Sequence, residues 1–346
     1  MRASDFKDLE TRGFVLIPSF LPPAELQVCR EDFASQPVNA DNRNLKLSGA
    51  SGKAHQIVRE RVQEVLALVT QGTSLHVDLP LGAVYFATAR FAWPGFKPFW
   101  HQDHESFFET QNHYDYLNFY IPINKPRRDK SNLCIIPFDV LEKESPGTFR
   151  TLVRGGATRF FPSRDRTLVY LDDTGLEHVM HKDLEQLAHA PELDAGDLLL
   201  LRGDMIHRTQ DIETERVSLS FRAASSETQV RRSRLADGGL VKALMMMNNE
   251  RTYRRMFEAF DTAGKNGVPF AELQHTIANL PDSAPLGRKR FFRYLLQQKA
   301  HEQILLRFFR RSFTPLGFAT VLAGLKAFLS ERRARHTAAA GSARAL

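Results

Sequence analysis

The sequence predicts a mostly β core, folded as a compact antiparallel barrel or double-sheet jelly roll, with helices before it and a helical region after it. Three observations predict this. Short runs rich in β-branched and aromatic residues recur from about Val84 to Arg222, broken by Pro, Gly and Asp turns. Helical spacing precedes them, as in Ile57, Val62, Val65, Leu66 and Val69. After about Ser226 the chain turns to helical spacing with many Arg, Lys, Phe and Leu, over 236–260 and 286–333.

The elements follow in order. Residues 4–12 suit a short helix, and Gly13-Phe14-Val15-Leu16-Ile17 a strand running into Pro18. Pro22, Pro23 and Ala24 start a helix to about Ala34, because a proline in the first turn loses no hydrogen bond there. Residues 35–53 are polar and rich in Asn, Ser and Gly, the composition of an ordered loop or a mobile flap. A helix over 55–70 is followed by strands at 84–91, 117–123, 133–137, 167–171, 197–202 and 217–222. The core unit is expected over roughly 10–228, within a division into 1–228 and a basic helical region 229–346.

Hydrophobic residues make up 42% of the 346 and charged residues 25%, the balance of an ordinary soluble globular chain. The formal charge of +7 favours anionic partners and leaves nucleic acid, anionic lipid and a small acidic substrate open. Two cysteines, Cys29 and Cys134, are too few for a disulfide framework and read as buried thiols. No apolar signal core follows the N-terminus, and no stretch approaches the length of a membrane span. A reducing, cytoplasmic compartment is the expectation.

Trp100-His101-Gln102-Asp103 opens the chemical argument. On an extended segment, side chains at i and i+2 project to the same side, so His101 and Asp103 can meet one metal ion. Gly196-Asp197, an apolar run and a second turn then lead to His207, at the mouth of a barrel. Two histidines and one carboxylate on one face leave open positions, the arrangement suited to ferrous oxygenase chemistry. Arg216 begins the alternating run Val217–Arg222, where its guanidinium fork can grip a carboxylate.

These features, with Gly13–Leu21, resemble the phytanoyl-CoA dioxygenase-like branch of the Fe(II)/2-oxoglutarate oxygenases. The resemblance spans most of 10–225 and implies a double-stranded β-helix of cupin-like form. It implies His101, Asp103 and His207 as iron ligands, Arg216 as the clamp on 2-oxoglutarate, and dioxygen as the oxidant. It also suggests the strand Tyr116–Pro122 as a wall of the site, with Asn118 or Tyr116 holding the co-substrate. Two departures bear on substrate: Ser131 or Asn132 replaces a usual glycine before Leu133, and Pro137-Phe138-Asp139 replaces a usual Pro-Gly-Ser-His turn. Asp103 favours oxygenation over halogenation, since the related halogenases carry a small residue there.

Arg90, Trp100, His104, Phe107, His113 and Arg222 are candidate pocket residues, each with a plain structural alternative in core packing or a surface pair. The expected substrate is a small organic or natural-product molecule, with anionic character suggested by Lys97, Arg127, Arg128 and Lys130. The same centre is also compatible with desaturation or ring closure, with a macromolecular or lipid-linked substrate, or with a non-enzymatic cupin-like binding role.

Residues 288–311 read as a helix with one apolar and one strongly basic side. Packing on the core is the first reading, and contact with anionic lipid or nucleic acid the alternative; no specific nucleic-acid motif is present. Asp261 to Glu272 has the length of a calcium loop, but Ala263 and Lys265 occupy ligand positions, so a metal-free helical connection is expected.

Overall fold

A computed structural model describes residues 3–37, 45–89, 100–103, 106, 109–153, 157–162, 168–172, 177–236 and 250–281. In chain order these form α1 (Ala3–Thr11), β1 (Phe14–Ile17), α2 (Pro23–Ser35), β2 (Leu45–Ser48), α3 (Lys53–Gly72) and β3 (Leu79–Thr88). Next come β4 (Tyr116–Asn124), β5 (Leu133–Ile135), α4 (Phe138–Glu144), α5 (Pro146–Leu152), β6 (Ala157–Pro162), β7 (Leu168–Asp172) and β8 (Glu177–Met180). They are followed by α6 (Leu184–Leu187), β9 (Leu198–Arg202), β10 (His207–Thr209), β11 (Val217–Ala224), β12 (Gln229–Arg231) and α7 (Arg232–Ala236). Last are α8 (Glu250–Ala263), β13 (Gly267–Pro269) and α9 (Phe270–Asn279).

The main sheet has six strands in the order β1-β9-β4-β11-β3-β2, and every pair is antiparallel. A two-stranded sheet, β10-β5, is extended by a bridge between His207 and His101. Ile135 of this smaller sheet packs with Tyr120, Leu199 and Leu201 of the main sheet, so the two face each other. Strands that pair within one sheet are far apart in sequence, because the chain crosses repeatedly between the two. This is the double-stranded β-helix. A separate three-stranded sheet, β6-β7-β8, lies between β5 and β9 in sequence.

Strand alternation divides the main sheet into two faces. Leu117, Phe119, Ile121 and Ile123 of β4, with Leu219 and Phe221 of β11, point outward into the largest apolar cluster. The helices α2 and α3 cover that face, and Val58, Val62, Leu66 and Val69 form the buried stripe of α3. The opposite face carries Asn118, Tyr120, Ser218, Ser220 and Arg222, a polar row that an ordinary apolar core would not contain.

Two local features pin the helices and β1. Asp32 of α2 accepts from Ser48 Oγ (2.6 Å), Ala54 N (2.9 Å) and Gln36 Nε2 (2.7 Å), tying β2 and the start of α3 to one buried carboxylate. Burial by itself raises its pKa, but the hydrogen bonds from Ser48, Gln36 and Ala54 outweigh this and hold it below the usual carboxylate range. Asp197 accepts from Ser19 N and Asp194 N, both at 2.8 Å, and fixes the exit of β1. Gly196 has φ +93°, and a Cβ there would lie 2.9 Å from the Leu21 carbonyl oxygen, so the Gly-Asp pair is demanded by backbone geometry.

The expected strands and helices up to Ala224 appear within a few residues of their predicted bounds. Residues 35–53 depart from the loop expectation: β2 lies among them and pairs with β3 through Leu45–Ser48. Its four residues alternate but are too few to stand out as a periodic signal. Both cysteines are buried thiols. Beyond Ala224, β12 pairs with β13, and Tyr253, Phe257, Phe260 and Phe270 form an apolar cluster that includes Tyr116 and Ala224 of the main sheet. Asp261 pairs with Arg232 and Glu272 with Lys265, at 2.9 and 3.0 Å. The predicted helix at 288–311 lies outside the described residues.

Asp32→Asn is expected to destabilise the fold by about 1–3 kcal/mol at neutral pH, by leaving a buried network with mismatched donors. A depressed carboxyl contributes stability above its unfolded pKa and loses it as pH falls through the folded value. Urea denaturation of both proteins should therefore show a gap at pH 7 that narrows in acid; an equal gap at every pH would refute the assignment.

Candidate metal centre

The two halves of the site meet through their backbones. His101 N donates to the His207 carbonyl (3.0 Å), and His207 N donates to the His101 carbonyl (2.9 Å). This reciprocal pair closes the end of the smaller sheet and sets the imidazoles side by side, with ring centroids 4.4 Å apart. Strand alternation directs His101 and Asp103 to the same side. His207 Nε2 lies 3.6 Å from Asp103 Oδ1. One ligand atom from each of His101, Asp103 and His207 falls within 4.8 Å of the others, close enough to share one metal ion.

The surroundings prepare these atoms. His207 Nδ1 lies 2.9 Å from the Met205 carbonyl oxygen, which can only accept, so Nδ1 donates there and Nε2 is the nitrogen turned towards Asp103. Gln102, between the two ligands and fully buried, points the other way. Its amide donates to the carbonyls of Asp204 (2.6 Å) and Leu152 (3.2 Å), joining the His101–Asp103 segment to the turn that delivers His207. Asp204 is held by a buried ion pair with Arg202 at 2.6 Å. The Arg202 guanidinium lies between the rings of Tyr114 and Phe138, 4.6 and 4.7 Å from their centroids. Gly203 completes the turn, since a Cβ there would meet Ser106, Tyr116 and His113 at 2.9–3.0 Å.

Arg216 stands at one end of the polar row, only 3% exposed. One terminal nitrogen donates to Ser218 Oγ, and the guanidinium carbon lies 5.5 Å from the Tyr120 ring centroid. Its Nε finds no hydrogen-bond partner among the described residues. A buried, incompletely satisfied guanidinium calls for an anion. Burial raises the pKa of the Tyr120 hydroxyl, which therefore stays a neutral donor. Burial, and then repulsion from Arg216, lowers the nearby Lys125 ammonium to about 8.

Other candidates fall elsewhere. Trp100 is on the opposite side of its strand from His101, in a separate apolar cluster. Its indole donates to Glu185 at 3.0 Å and lies under Arg208, so it braces β10 and does not line the site. Tyr116, expected at the co-substrate, is fully buried among the elements after Ala224; strand register puts it at the far end of β4 from Arg216. Tyr120 holds the position beside Arg216, together with Ser218, and sequence spacing alone singles out neither. Asn118 pairs in register with Arg222 and also lies away from Arg216. His113 sits behind Asp103: Ser106 Oγ is 2.6 Å from its Nδ1 and 3.0 Å from the Asp103 carbonyl oxygen. Burial, reinforced by Arg234, lowers His113 to about 3, so it is a neutral support. Arg222 faces the polar side of the sheet, 5.5 Å from the Tyr85 ring centroid. Arg90, His104 and Phe107 lie outside the described residues.

No protein-family model matches the chain, and no curated protein does. Among solved structures, it is similar to HygX from Streptomyces hygroscopicus with nickel, 2-oxoglutarate and hygromycin B bound. The identity is 14%, the TM-score 0.43, and the match covers 65% of this chain and 88% of HygX. It is similar to EctD from S. alaskensis in its apoform at 12% identity and TM-score 0.42, over 67% of this chain and 80% of that one. A Pseudomonas putida prolyl-4-hydroxylase matches at 15% identity and TM-score 0.37, over 65% and 99%. These likenesses are loose, and the functional reading rests on the side chains above.

Gln102→Leu should leave two buried carbonyls unsatisfied and loosen both halves of the centre together. Ni(II) affinity is expected to fall about 10–100-fold while the circular dichroism spectrum is retained. Unchanged affinity, measured by calorimetry, would show that the amide does not position the ligands.

Proposed function

We propose that the chain is a non-haem Fe(II)- and 2-oxoglutarate-dependent dioxygenase that hydroxylates a C–H bond of a small organic molecule. The observation that carries this reading is the convergence of His101, Asp103 and His207 on one point. The donor set fits the ion: two neutral imidazole nitrogens and one carboxylate, converging from one side, leave other positions free for a chelating 2-oxoacid and dioxygen. Bound iron would supply the redox chemistry, in which dioxygen and 2-oxoglutarate become succinate and carbon dioxide as one oxygen atom enters the substrate.

The chain's own residues bind, orient and exclude. His101, Asp103 and His207 hold the metal, and their backbone bridge fixes the facial geometry before any ligand arrives. Arg216, Ser218 and Tyr120 form the receptor for the distal carboxylate of 2-oxoglutarate. The Arg216 guanidinium, whose Nε has no partner among the described residues, and the neutral phenol supply donors, while Lys125 adds positive potential. Leu199 and Leu201, with Ile135 across from them, wall the space with apolar surface, which excludes water and strengthens the ionic contact at Arg216.

Anaerobic protein with ferrous iron and 2-oxoglutarate should give a weak visible charge-transfer band, the expected signature of a chelated 2-oxoacid on such a centre. His101→Ala and His207→Ala should abolish it. Arg216→Gln should retain iron binding and weaken 2-oxoglutarate binding by roughly 10–100-fold, the loss of a charged, paired hydrogen bond. Absence of the band in folded, metal-loaded wild-type protein would sink the reading.

A further inference from the structure

We infer that the substrate is an organic carboxylate with an apolar body, its carboxylate held by Arg222 and Asn118 and its body lying along Tyr85 and Leu47. This inference rests on the oxygenase reading and gives that site a substrate class.

Two arginines project from the polar side of β11, and they lean apart. Arg216 lies over Tyr120 of β4, and Arg222 over Tyr85 of β3, each 5.5 Å from the ring centroid. A single co-substrate carboxylate is served by the first of these. Arg216 is 3% exposed, inside the closed part of the site. Arg222 is half-buried and borders the open part, where Tyr85 is 36% and Leu47 40% exposed. Leu47 pairs in register with Tyr85, so the two share one face and continue the surface outward from Arg222.

The smaller sheet orients this region relative to the metal ligands. β5 packs over β4 and β9 through Ile135, Tyr120, Leu199 and Leu201. β10 follows β5, and the segment carrying His101 and Asp103 follows β10. On its other side β5 bridges to His189 through Ile135, and the His189 ring lies 5.8 Å from that of Phe14 in β1. The smaller sheet therefore runs from above β1 and β9 towards β11 and β3, and the His101–Asp103 segment lies on the side of Arg222 and Tyr85.

The backbone is also shaped here. The β11–β3 pairing shifts between Ser220 and Arg222, where Tyr85 and Leu81 are successive partners, and Gly82 between them has φ +56°. Such an irregularity re-aims side chains and is common beside active sites. Here the Arg222 guanidinium lies against the Tyr85 ring, whose face favours the cation. Asn118, directly across from Arg222 and 9% exposed, adds an amide donor. One planar fork and one amide match a planar monoanion, and the exposed Tyr85 and Leu47 match an apolar body.

The test uses full-length protein saturated with ferrous iron and 2-oxoglutarate under anaerobic conditions. Hexanoate and 3-phenylpropanoate are titrated against their alcohols, 1-hexanol and 3-phenylpropan-1-ol, and perturbation of the charge-transfer band is recorded. The carboxylates are expected to perturb the band at concentrations at least tenfold below the alcohols. Arg222→Gln should weaken the carboxylate response tenfold or more, with 2-oxoglutarate affinity within twofold of wild type, and Arg222→Lys should restore part of it. An equal response in Arg222→Gln overturns the inference, as does a wild-type complex that shows the band but ignores both carboxylates. Displacement of the band by the carboxylates would place them at Arg216 and overturn it too. Loss of the band in Arg222→Gln itself would make Arg222 a support of the metal ligands, against the proposal. Absence of the band in wild type, before any carboxylate is added, fails the oxygenase reading first and this inference with it.

Discussion

The reciprocal pair of backbone hydrogen bonds between His101 and His207 is the constraint on which the site depends. Neither imidazole reaches a shared metal unless the two segments lie in this one register. A shift by a single residue would turn His101 and Asp103 away from the cavity and present Trp100 and Gln102 instead. The register is held on the reverse side of the strand, where Gln102 bridges to the Asp204 and Leu152 carbonyls. The residue between the two ligands thus locks the geometry that the ligands use.

Behind that register stands a buried charge pair. Arg202 and Asp204 are almost wholly removed from water, with side-chain exposures of 3% and 0%. Such a pair is costly to desolvate, and its worth lies in orientation more than in net stability. It directs the turn at Gly203, where no side chain fits, and sends the chain into β10 with His207 correctly presented. The flanking Tyr114 and Phe138 rings leave the guanidinium little freedom. Rigid support beneath a metal centre and exposed surface beside it divide the site into a part that holds and a part that receives.

Much of this was legible in the sequence, for identifiable reasons. The strands with strong alternation or continuous apolar runs, such as Tyr116–Asn124 and Leu198–Arg202, announce themselves because burial on a sheet imposes that pattern. His101 and Asp103 are two apart on an extended segment, and this spacing carries geometry directly. What stayed hidden depended on pairing across long separations. Tyr120 meets Arg216 only diagonally across the β4–β11 pair, a contact that no local pattern reveals. Tyr116 and Tyr120 share a face of β4, so alternation cannot tell which one meets the co-substrate end. Trp100 looks like a pocket residue by its adjacency to His101, yet the same alternation that unites His101 with Asp103 sends it to the other side.

On the proposed reading, the polar row on β11 divides recognition between two ligands. The strand's outward face is apolar and sealed under α2 and α3. Its inward face begins with Arg216, buried against Tyr120, and reaches Arg222, half-exposed against Tyr85. A buried guanidinium attracts its partner strongly but admits only a ligand that fits a closed space; a half-exposed one is weaker and tolerates variety. That gradient suits an invariant co-substrate at one end and a variable substrate at the other. The pairing shifts that interrupt β11 at Val217/Ser218 against β4 and at Ser220/Arg222 against β3 fall beside these same two arginines. An uninterrupted ladder would aim both side chains alike, whereas the shifts let each lean towards its own neighbouring strand, as the proposed division between two ligands requires.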